Sequence, residues 1–242
     1  SVKFPEKASD ISIKREIIRS VNEDYSTNTF YNYLTYKNGD KAGLIFANDL
    51  QNPIEFDYID SKTFNVRSAN SWKNDIVFIV GKNDNKGQLK YGVYSITNKQ
   101  ILDFVYDELE PITLYNNQGN QIFIAKKDLK YGIVESDGTI LVKVNKPEIV
   151  KLKSENSISL LLSFEENNKY GVVYSNNNKI EKTEPIFDYP VKDLILNYPK
   201  INNRRLLDSE KVTQKINLVE LMNKDGIFIG YANTNGTLYY KN

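Results

Sequence analysis

The chain has 242 residues, of which 40% are hydrophobic and 26% are charged. Its 32 Lys and Arg residues nearly balance its 31 Asp and Glu residues, so the net charge of +1 provides no general attraction to nucleic acid or anionic lipid. Neither cysteine nor histidine is present, which excludes disulfides, thiol nucleophiles, histidine-dependent triads and the common zinc sites.

Hydropathy and the first residue bear on where the protein acts. No apolar stretch reaches the length of about 18 residues that a membrane-spanning helix needs, so we expect no membrane insertion. The chain begins at Ser1 rather than at methionine, which favours a processed, exported protein, although trimming during expression explains the same start. We therefore expect an extracellular or cell-surface location, with a cytoplasmic location as the alternative.

The first predicted element is a strand near the N-terminus. Residues 11–21 (ISIKREIIRSV) alternate apolar and polar side chains, as a half-buried strand does. We assign residues 1–29 to an N-terminal cap strand that precedes the first repeat.

A motif that recurs about every 40 residues follows this strand. Its clear copies contain Lys-Tyr-Gly and are centred on Gly92, Gly132 and Gly171, and degenerate copies lie at 41–54 and 224–238. Degenerate end copies are expected where each repeat is buried against its neighbours. The repetition predicts one domain, 1–242, with units at 30–70, 71–115, 116–155, 156–195 and 210–242.

Each copy has the same internal order of apolar runs and turns. An apolar run precedes the Lys-Tyr-Gly strand, a turn rich in Asn, Asp or Gly follows it, and a second apolar run ends in an aromatic-acid pair such as Tyr106-Asp107. Short segments with regularly spaced turns predict three or four antiparallel strands per unit, and hence an all-β fold. The best helix candidate is residues 204–222.

Two arrangements can bury about five such hairpin units. An open, curved array or solenoid stacks the units linearly and needs capped ends, whereas a five-bladed β-propeller packs them radially. We favour the open array because the degenerate end copies have the character of caps, and the propeller is the close alternative.

The repeated motif residues are assigned packing roles. The glycine is expected to let an aromatic side chain of the neighbouring unit lie against the backbone. The tyrosine before it is expected to cover the strand edge, with its hydroxyl reaching solvent or a carbonyl. The aspartate after the closing aromatic residue is expected to cap a turn by accepting backbone N–H groups. These residues are Tyr91, Gly92, Asp107, Tyr131, Gly132, Tyr170, Gly171 and Asp188.

The segments 90–107, 130–142 and 169–188 resemble the WG repeats, also called KWG repeats, of bacterial proteins. Those repeats share a Lys-Trp/Tyr-Gly core, a polar turn and a closing Tyr-Asp pair, and this chain has Tyr where the family often has Trp. The resemblance covers roughly residues 30–240. It implies a repeated β scaffold used for structure or binding, often in exported proteins, and it implies no shared catalytic residues.

Two aromatic residues in polar segments are the candidate binding residues. Trp72 (in SANSWKND) either anchors a satellite core, which is the favoured role, or stacks on a sugar ring or a protein partner, and Tyr115 (in LYNNQGNQ) has the same two roles open to it. The segment 81–87 (GKNDNKG) has oxygen ligands near alternate positions but lacks the spaced acidic residues and distal glutamate of a calcium loop. We therefore expect no metal and no cofactor.

These observations favour a non-catalytic module that binds a protein or glycan partner, and no nucleic acid, through loops between strands. One alternative is a carboxylate-dependent glycoside hydrolase on a propeller, for which Glu23-Asp24, Glu108/Glu110 and Glu165-Glu166 are the paired carboxylates. The other alternative is a purely structural spacer. Binding is favoured over catalysis because cysteine and histidine, the most versatile catalytic side chains, are missing.

Overall fold

The computed structural model describes residues 2–21, 26–67, 74–96, 99–112, 120–156, 158, 160–176, 179–201 and 213–240. Within these ranges the regular elements are strands, without a helix, which confirms the predicted all-β class. The strands form five four-stranded sheets, and each sheet consists of four consecutive strands paired in chain order. This arrangement is a series of antiparallel meanders.

The sheets are numbered in chain order. Sheet 1 contains β1 (Ala8–Val21), β2 (Ser26–Asn38), β3 (Lys41–Phe46) and β4 (Asp49–Phe56). Sheet 2 contains β5 (Tyr58–Arg67), β6 (Asn74–Asn83), β7 (Leu89–Ser95) and β8 (Lys99–Tyr106). Sheet 3 contains β9 (Glu108–Ile112), β10 (Ile122–Lys127), β11 (Lys130–Glu135) and β12 (Ile140–Lys146). Sheet 4 contains β13 (Ile149–Lys151), β14 (Leu161–Glu166), β15 (Lys169–Asn176) and β16 (Lys179–Lys182), and sheet 5 contains β17 (Val191–Ile201), β18 (Thr213–Met222), β19 (Phe228–Asn233) and β20 (Leu238–Tyr240).

The sheets begin one strand earlier than the units drawn from the sequence. The strand that follows each aromatic-acid pair was placed at the end of its own unit, but it opens the next sheet. Thus β5 pairs with β6, with Tyr58 opposite Gly81, although it directly follows Asp57. For the same reason the strand predicted over 11–21 lies within β1, the first full strand of sheet 1.

The chain divides into two compact units. Unit 1 is Ser1–Val144 and unit 2 is Asn145–Asn242. Strands of sheets 1 to 3 build unit 1, and sheets 4 and 5 build unit 2.

The core of unit 1 is explained by the apolar run of β6. Ile76, Phe78 and Val80 pack with residues of sheet 1, and the alternate residues Val77 and Ile79 pack with residues of sheet 3. Because successive side chains of a strand point to opposite faces, a continuous apolar run fits a strand that is buried on both sides. The residues that meet β6 include Tyr33, Leu44, Phe46 and Phe56 from sheet 1 and Phe123, Ala125 and Val134 from sheet 3.

In the described part of unit 2, a buried apolar cluster lies between sheets 4 and 5. Leu161, Val172 and Tyr174 of sheet 4 pack with Leu194 and Val219 of sheet 5, and all five side chains are buried. Burial of such side chains typically stabilises the fold by about 1.5–3 kcal/mol each. The two sheets of unit 2 are therefore held together mainly by apolar contacts.

The helix predicted over 204–222 is wrong for the residues that the structure describes. Thr213–Met222 is strand β18, which is hydrogen-bonded to β17 on one side and to β19 on the other. The segment 202–212 lies outside the described residues. Within the described ranges, no helix has the length and hydropathy needed to cross a bilayer.

Candidate functional site

An aspartate directly after the fourth strand connects sheet 1 to sheet 2. The carboxylate of Asp57 forms an ion pair with Lys41, the first residue of β3. Its second oxygen accepts the backbone N–H of Asn83, at the end of β6, with an N···O distance of 2.8 Å. The backbone N–H of Asp57 donates to the carbonyl of Gly81 at 2.9 Å. We call this three-part contact of ion pair, cap and backbone bond a joint.

The same joint recurs between sheets 2 and 3. Asp107 pairs with Lys90, accepts the backbone N–H of Asp128 at 2.7 Å, and donates its own N–H to the carbonyl of Lys126 at 2.8 Å. The turn cap expected for Asp107 is therefore present. The paired lysine, followed by the backbone donor, holds the pKa of the Asp57 and Asp107 carboxyls below its usual range.

Two replacements of Asp107 distinguish the contribution of the ion pair from that of the cap. Asp107→Ala removes the ion pair and the cap, and we expect it to lower the free energy of unfolding by about 2 kcal/mol, since charge-assisted hydrogen bonds typically contribute 1.5–3 kcal/mol. Asp107→Asn keeps an oxygen for the Asp128 N–H and should cost about half as much. Urea unfolding followed by circular dichroism measures both losses, and the control is Asp103→Asn, which changes an exposed aspartate of the preceding strand β8.

The pH dependence of these variants follows from the lowered pKa. A carboxyl whose pKa is lower in the folded state stabilises the fold at pH values above its unfolded pKa of about 4, and the stabilisation is lost as the pH falls through the folded pKa. Stability of the wild type should therefore fall below about pH 4, and this fall should be smaller in Asp107→Asn. An identical acid profile in the two proteins would contradict the role of the Asp107 charge.

The lysine–aspartate pair is present in unit 2 and is replaced in the third copy of the motif. Lys169 pairs with Asp188, as Lys90 does with Asp107. In sheet 3 the carbonyl of Val142 lies against Gly132, and in sheet 2 the carbonyl of Leu102 lies against Gly92 in the same way. Val142 and Leu102 are therefore equivalent positions. Counting the same number of residues onward from each, Lys146 is equivalent to Tyr106.

The lysine that stands in the aromatic position is buried. Lys146 is 3% exposed, and its ammonium binds the Oε1 atom of Glu166 at 2.6 Å. Glu166 is the last residue of β14, within unit 2. An ion pair in unit 2 thus replaces the aromatic side chain of the other copies.

The motif glycines make room for groups of their own sheet. A Cβ atom on Gly171 would lie 2.5 Å from the ring of Phe164, the residue opposite it on β14. A Cβ atom on Gly92 or Gly132 would lie 2.6 Å from a backbone carbonyl of the following strand. The expectation that an aromatic side chain of the neighbouring unit covers these glycines is therefore wrong, because the close approach comes from the adjacent strand.

The motif tyrosines pack at strand surfaces in different ways. The ring of Tyr91 meets that of Tyr58 edge to face, with centroids 5.5 Å apart. The ammonium of Lys126 lies over the ring of Tyr131, at 5.6 Å from the ring centroid. Burial, followed by the neighbouring Glu165 carboxylate, raises the pKa of Tyr170.

The two ends of each sheet differ in the length of their longest connection. At the joint end lie the turns between second and third strands, which are short and fixed by polar contacts: Asp84 Oδ1, for example, accepts the N–H groups of Lys86 and Gln88. At the opposite end, which we call the loop end, the first strand connects to the second. The connections from first to second strand comprise residues 22–25, 68–73, 113–121, 152–160 and 202–212, and none of them is shorter than the one before it.

The two candidate binding residues belong to loop-end connections of unit 1. Trp72 lies between β5 and β6, and Tyr115 lies between β9 and β10. Both positions are outside the described residues. The joints connect the joint ends of successive sheets in unit 1. The described strand ends next to these two connections are at the other end of their sheets, so they lie on the same side of unit 1.

Two of the carboxylates considered for catalysis have partners in the described structure. Glu165 is hydrogen-bonded to Tyr170, and its neighbour Glu166 binds Lys146. Glu108 and Glu110 both lie on β9, at either side of the buried Leu109. Glu23-Asp24 lies outside the described residues.

The segment 81–87 is organised as a turn. The Asp84 side chain accepts backbone N–H groups within it, and the N–H of Gly87 donates to the Asp84 carbonyl at 2.9 Å. Across the described part of the chain, no three Asp or Glu side chains are grouped closely enough to share a metal ion.

Comparison with known proteins does not assign this chain to a family. No family model, no curated protein and no solved structure matches it.

Proposed function

We propose that the protein is a non-catalytic interaction module, of the exported or cell-surface WG-repeat type, that binds a protein or glycan through its loop ends. The observation that carries this proposal is the asymmetry of the sheets. Joint ends are fixed by short turns and by the Asp57 and Asp107 contacts, whereas the longest connection within every sheet lies at the loop end. Loops held on a rigid scaffold are the usual location of binding residues.

Trp72 and Tyr115 are the residues of this surface that we propose to contact the partner. Both occur in loop-end connections of consecutive sheets, beside asparagine and glutamine residues. Aromatic rings supply apolar contact area for a sugar face or a protein, and the amide side chains next to them supply hydrogen bonds.

Binding of the full chain to arrays of glycans and of purified cell-surface proteins tests the proposal. Trp72→Ala or Tyr115→Ala should weaken binding to the recognised ligand about tenfold or more, since loss of a central aromatic contact commonly costs 1–2 kcal/mol or more. Tyr189→Ala is the matched control, because Tyr189 is an exposed aromatic residue in the connection between β16 and β17. Equal binding by both variants and the wild type would remove these residues from the site.

The same samples separate binding from hydrolysis. A glycoside hydrolase would release reducing sugar from polysaccharides, and Glu108→Gln or Glu110→Gln would abolish that release. We expect no release by the wild type. Release that depends on either carboxylate would replace the binding proposal with the hydrolase alternative.

A further inference from the structure

Strand β1 forms a long edge of sheet 1. It has 14 residues, it pairs with β2 on one side, and it is the terminal strand in the order of the sheet. The backbone N–H and C=O groups on the outer side of an edge strand are available to pair with another strand. Natural proteins usually protect such edges by short strands, bulges, charges or a covering segment. In the described part of the chain β1 has one irregularity, between Ser9 and Ser12, and it pairs regularly with β2 from Ser12 to Val21.

Exposed apolar side chains lie beside this edge. Ile13 is 79% exposed and Ile17 is 57% exposed, and Phe30, directly opposite Ile17 on β2, is 54% exposed. Together with Ile11, which is also exposed, we call these side chains the β1 patch; Arg15 lies between Ile13 and Ile17 on the same face of the strand. Four large exposed apolar side chains on one hairpin indicate a contact surface.

The sequence of β1 is complementary to itself. When two copies are paired antiparallel with Arg15 at the centre, Lys14 of each copy lies opposite Glu16 of the other, and Ile13 lies opposite Ile17. A shift of two residues in either direction brings Lys14 opposite Lys14 or Glu16 opposite Glu16. Opposite charges stabilise directly facing positions and like charges destabilise them, so one register is favoured.

This register also places Arg15 opposite Arg15 of the other copy, so the direction of the two guanidinium groups decides whether they repel each other. In the described structure the Arg15 guanidinium is drawn toward β2: its Nε atom donates to Asn32 Oδ1 at 2.9 Å, and it lies 6.0 Å from the centroid of the Phe30 ring. These contacts direct the two arginines toward their own sheets rather than toward each other.

We propose that two copies of the chain associate edge to edge through β1, antiparallel and centred on Arg15. The pairing joins the two copies of sheet 1 into one continuous sheet and brings the two β1 patches side by side. Because the same surface serves both copies, the contact is satisfied by two chains and closes without further growth. This surface is distinct from the loop ends, so the dimer does not depend on the function proposed above.

Sedimentation of the full chain at low salt, over a range of concentrations, tests this dimer. Lys14→Glu places two carboxylates opposite each other at both ends of the contact, and we expect the dimer dissociation constant to rise about tenfold. Glu16→Lys should have a similar effect. The double variant Lys14→Glu/Glu16→Lys restores opposite charges and should recover the wild-type dissociation constant.

Mixing the two single variants provides a second readout. A chain with Lys14→Glu and a chain with Glu16→Lys are complementary at both pairs, so the mixture should form heterodimers more tightly than either variant forms homodimers. Lys143→Glu, the same charge change at an exposed position on β12, is the control and should leave the wild-type dimer intact.

Three results would overturn the proposal. A wild type that sediments as a monomer at every concentration leaves no dimer to explain. A dimer that is unaffected by either single reversal does not use this register of β1. Single variants that are weakened without recovery in the double variant, while all of them retain the wild-type circular dichroism spectrum, show that charge pairing is not the cause.

Discussion

Gly132→Ala should lower the free energy of unfolding by about 3 kcal/mol. The added Cβ would lie 2.6 Å from the carbonyl oxygen of Val142 and 2.7 Å from the Cα of Val144. Both are backbone atoms of the adjacent strand, so relief requires β12 to move as a whole. The backbone of Gly132 is outside the left-handed region, so the cost is steric rather than conformational. Urea unfolding measures this loss.

Two other glycines serve as comparisons for Gly132. At Gly81 the nearest atom to an added Cβ is the end of the Leu89 side chain, 2.9 Å away, which can rotate, so Gly81→Ala should cost about 1 kcal/mol or less. At Gly171 the obstacle is the Phe164 ring, so Phe164→Leu should reduce the penalty of Gly171→Ala. Equal losses for Gly81→Ala and Gly132→Ala would show that the close approach of β12 is not what requires glycine.

Glu166→Ala should lower the free energy of unfolding of unit 2 by about 2–3 kcal/mol. The change leaves the buried ammonium of Lys146 without the carboxylate that binds it at 2.6 Å. Lys146→Met removes the charge and keeps the length of the side chain, so it should change stability by about 1 kcal/mol or less. In the Lys146→Met background, Glu166→Ala should then have little further effect.

Hydrogen exchange measured by mass spectrometry locates this effect. Amides of β14 and β15 should exchange faster in Glu166→Ala than in the wild type. Glu148→Ala, which removes an exposed glutamate in the connection between β12 and β13, is the control and should change stability by less than about 0.5 kcal/mol. If Lys146→Met lost as much stability as Glu166→Ala, the ion pair would be a net source of stability. The expectation here is instead that the ion pair only offsets the cost of burying the Lys146 charge.

The all-β class could be predicted because it is a local property. Alternating and continuous apolar runs, with Asn, Asp and Gly turns between them, specify strands residue by residue. The assignment of strands to sheets is not local: nothing near Asp57 indicates that the following strand pairs with 74–83 rather than with the strands before it. The helix predicted over 204–222 was wrong in its described part, 213–222, for a related reason, since pairing with β17 and β19 determines that segment.

The site could be predicted only in part. A cap was expected for Asp107, but its ion pair with Lys90 was missed, although a lysine before the motif tyrosine and an aspartate after the closing aromatic recur together in the sequence. The ion pair of Lys146 with Glu166 was missed, because the sequence does not show which acidic residue a lysine in the aromatic position meets. The β1 patch was missed because the alternation of residues 11–21 indicates one apolar face without indicating whether anything covers it.

The position of the joints determines which segment of the chain would add one complete sheet if it were duplicated. Only Asp57 separates β4 from β5, and only Asp107 separates β8 from β9. Each aspartate uses a lysine from the sheet before it and backbone groups from the sheet after it. A gene segment that encodes residues 58–107 therefore carries one complete sheet with half of a joint at either end. Tandem duplication of such a segment would add a sheet in frame and regenerate the joint contacts at both of its ends.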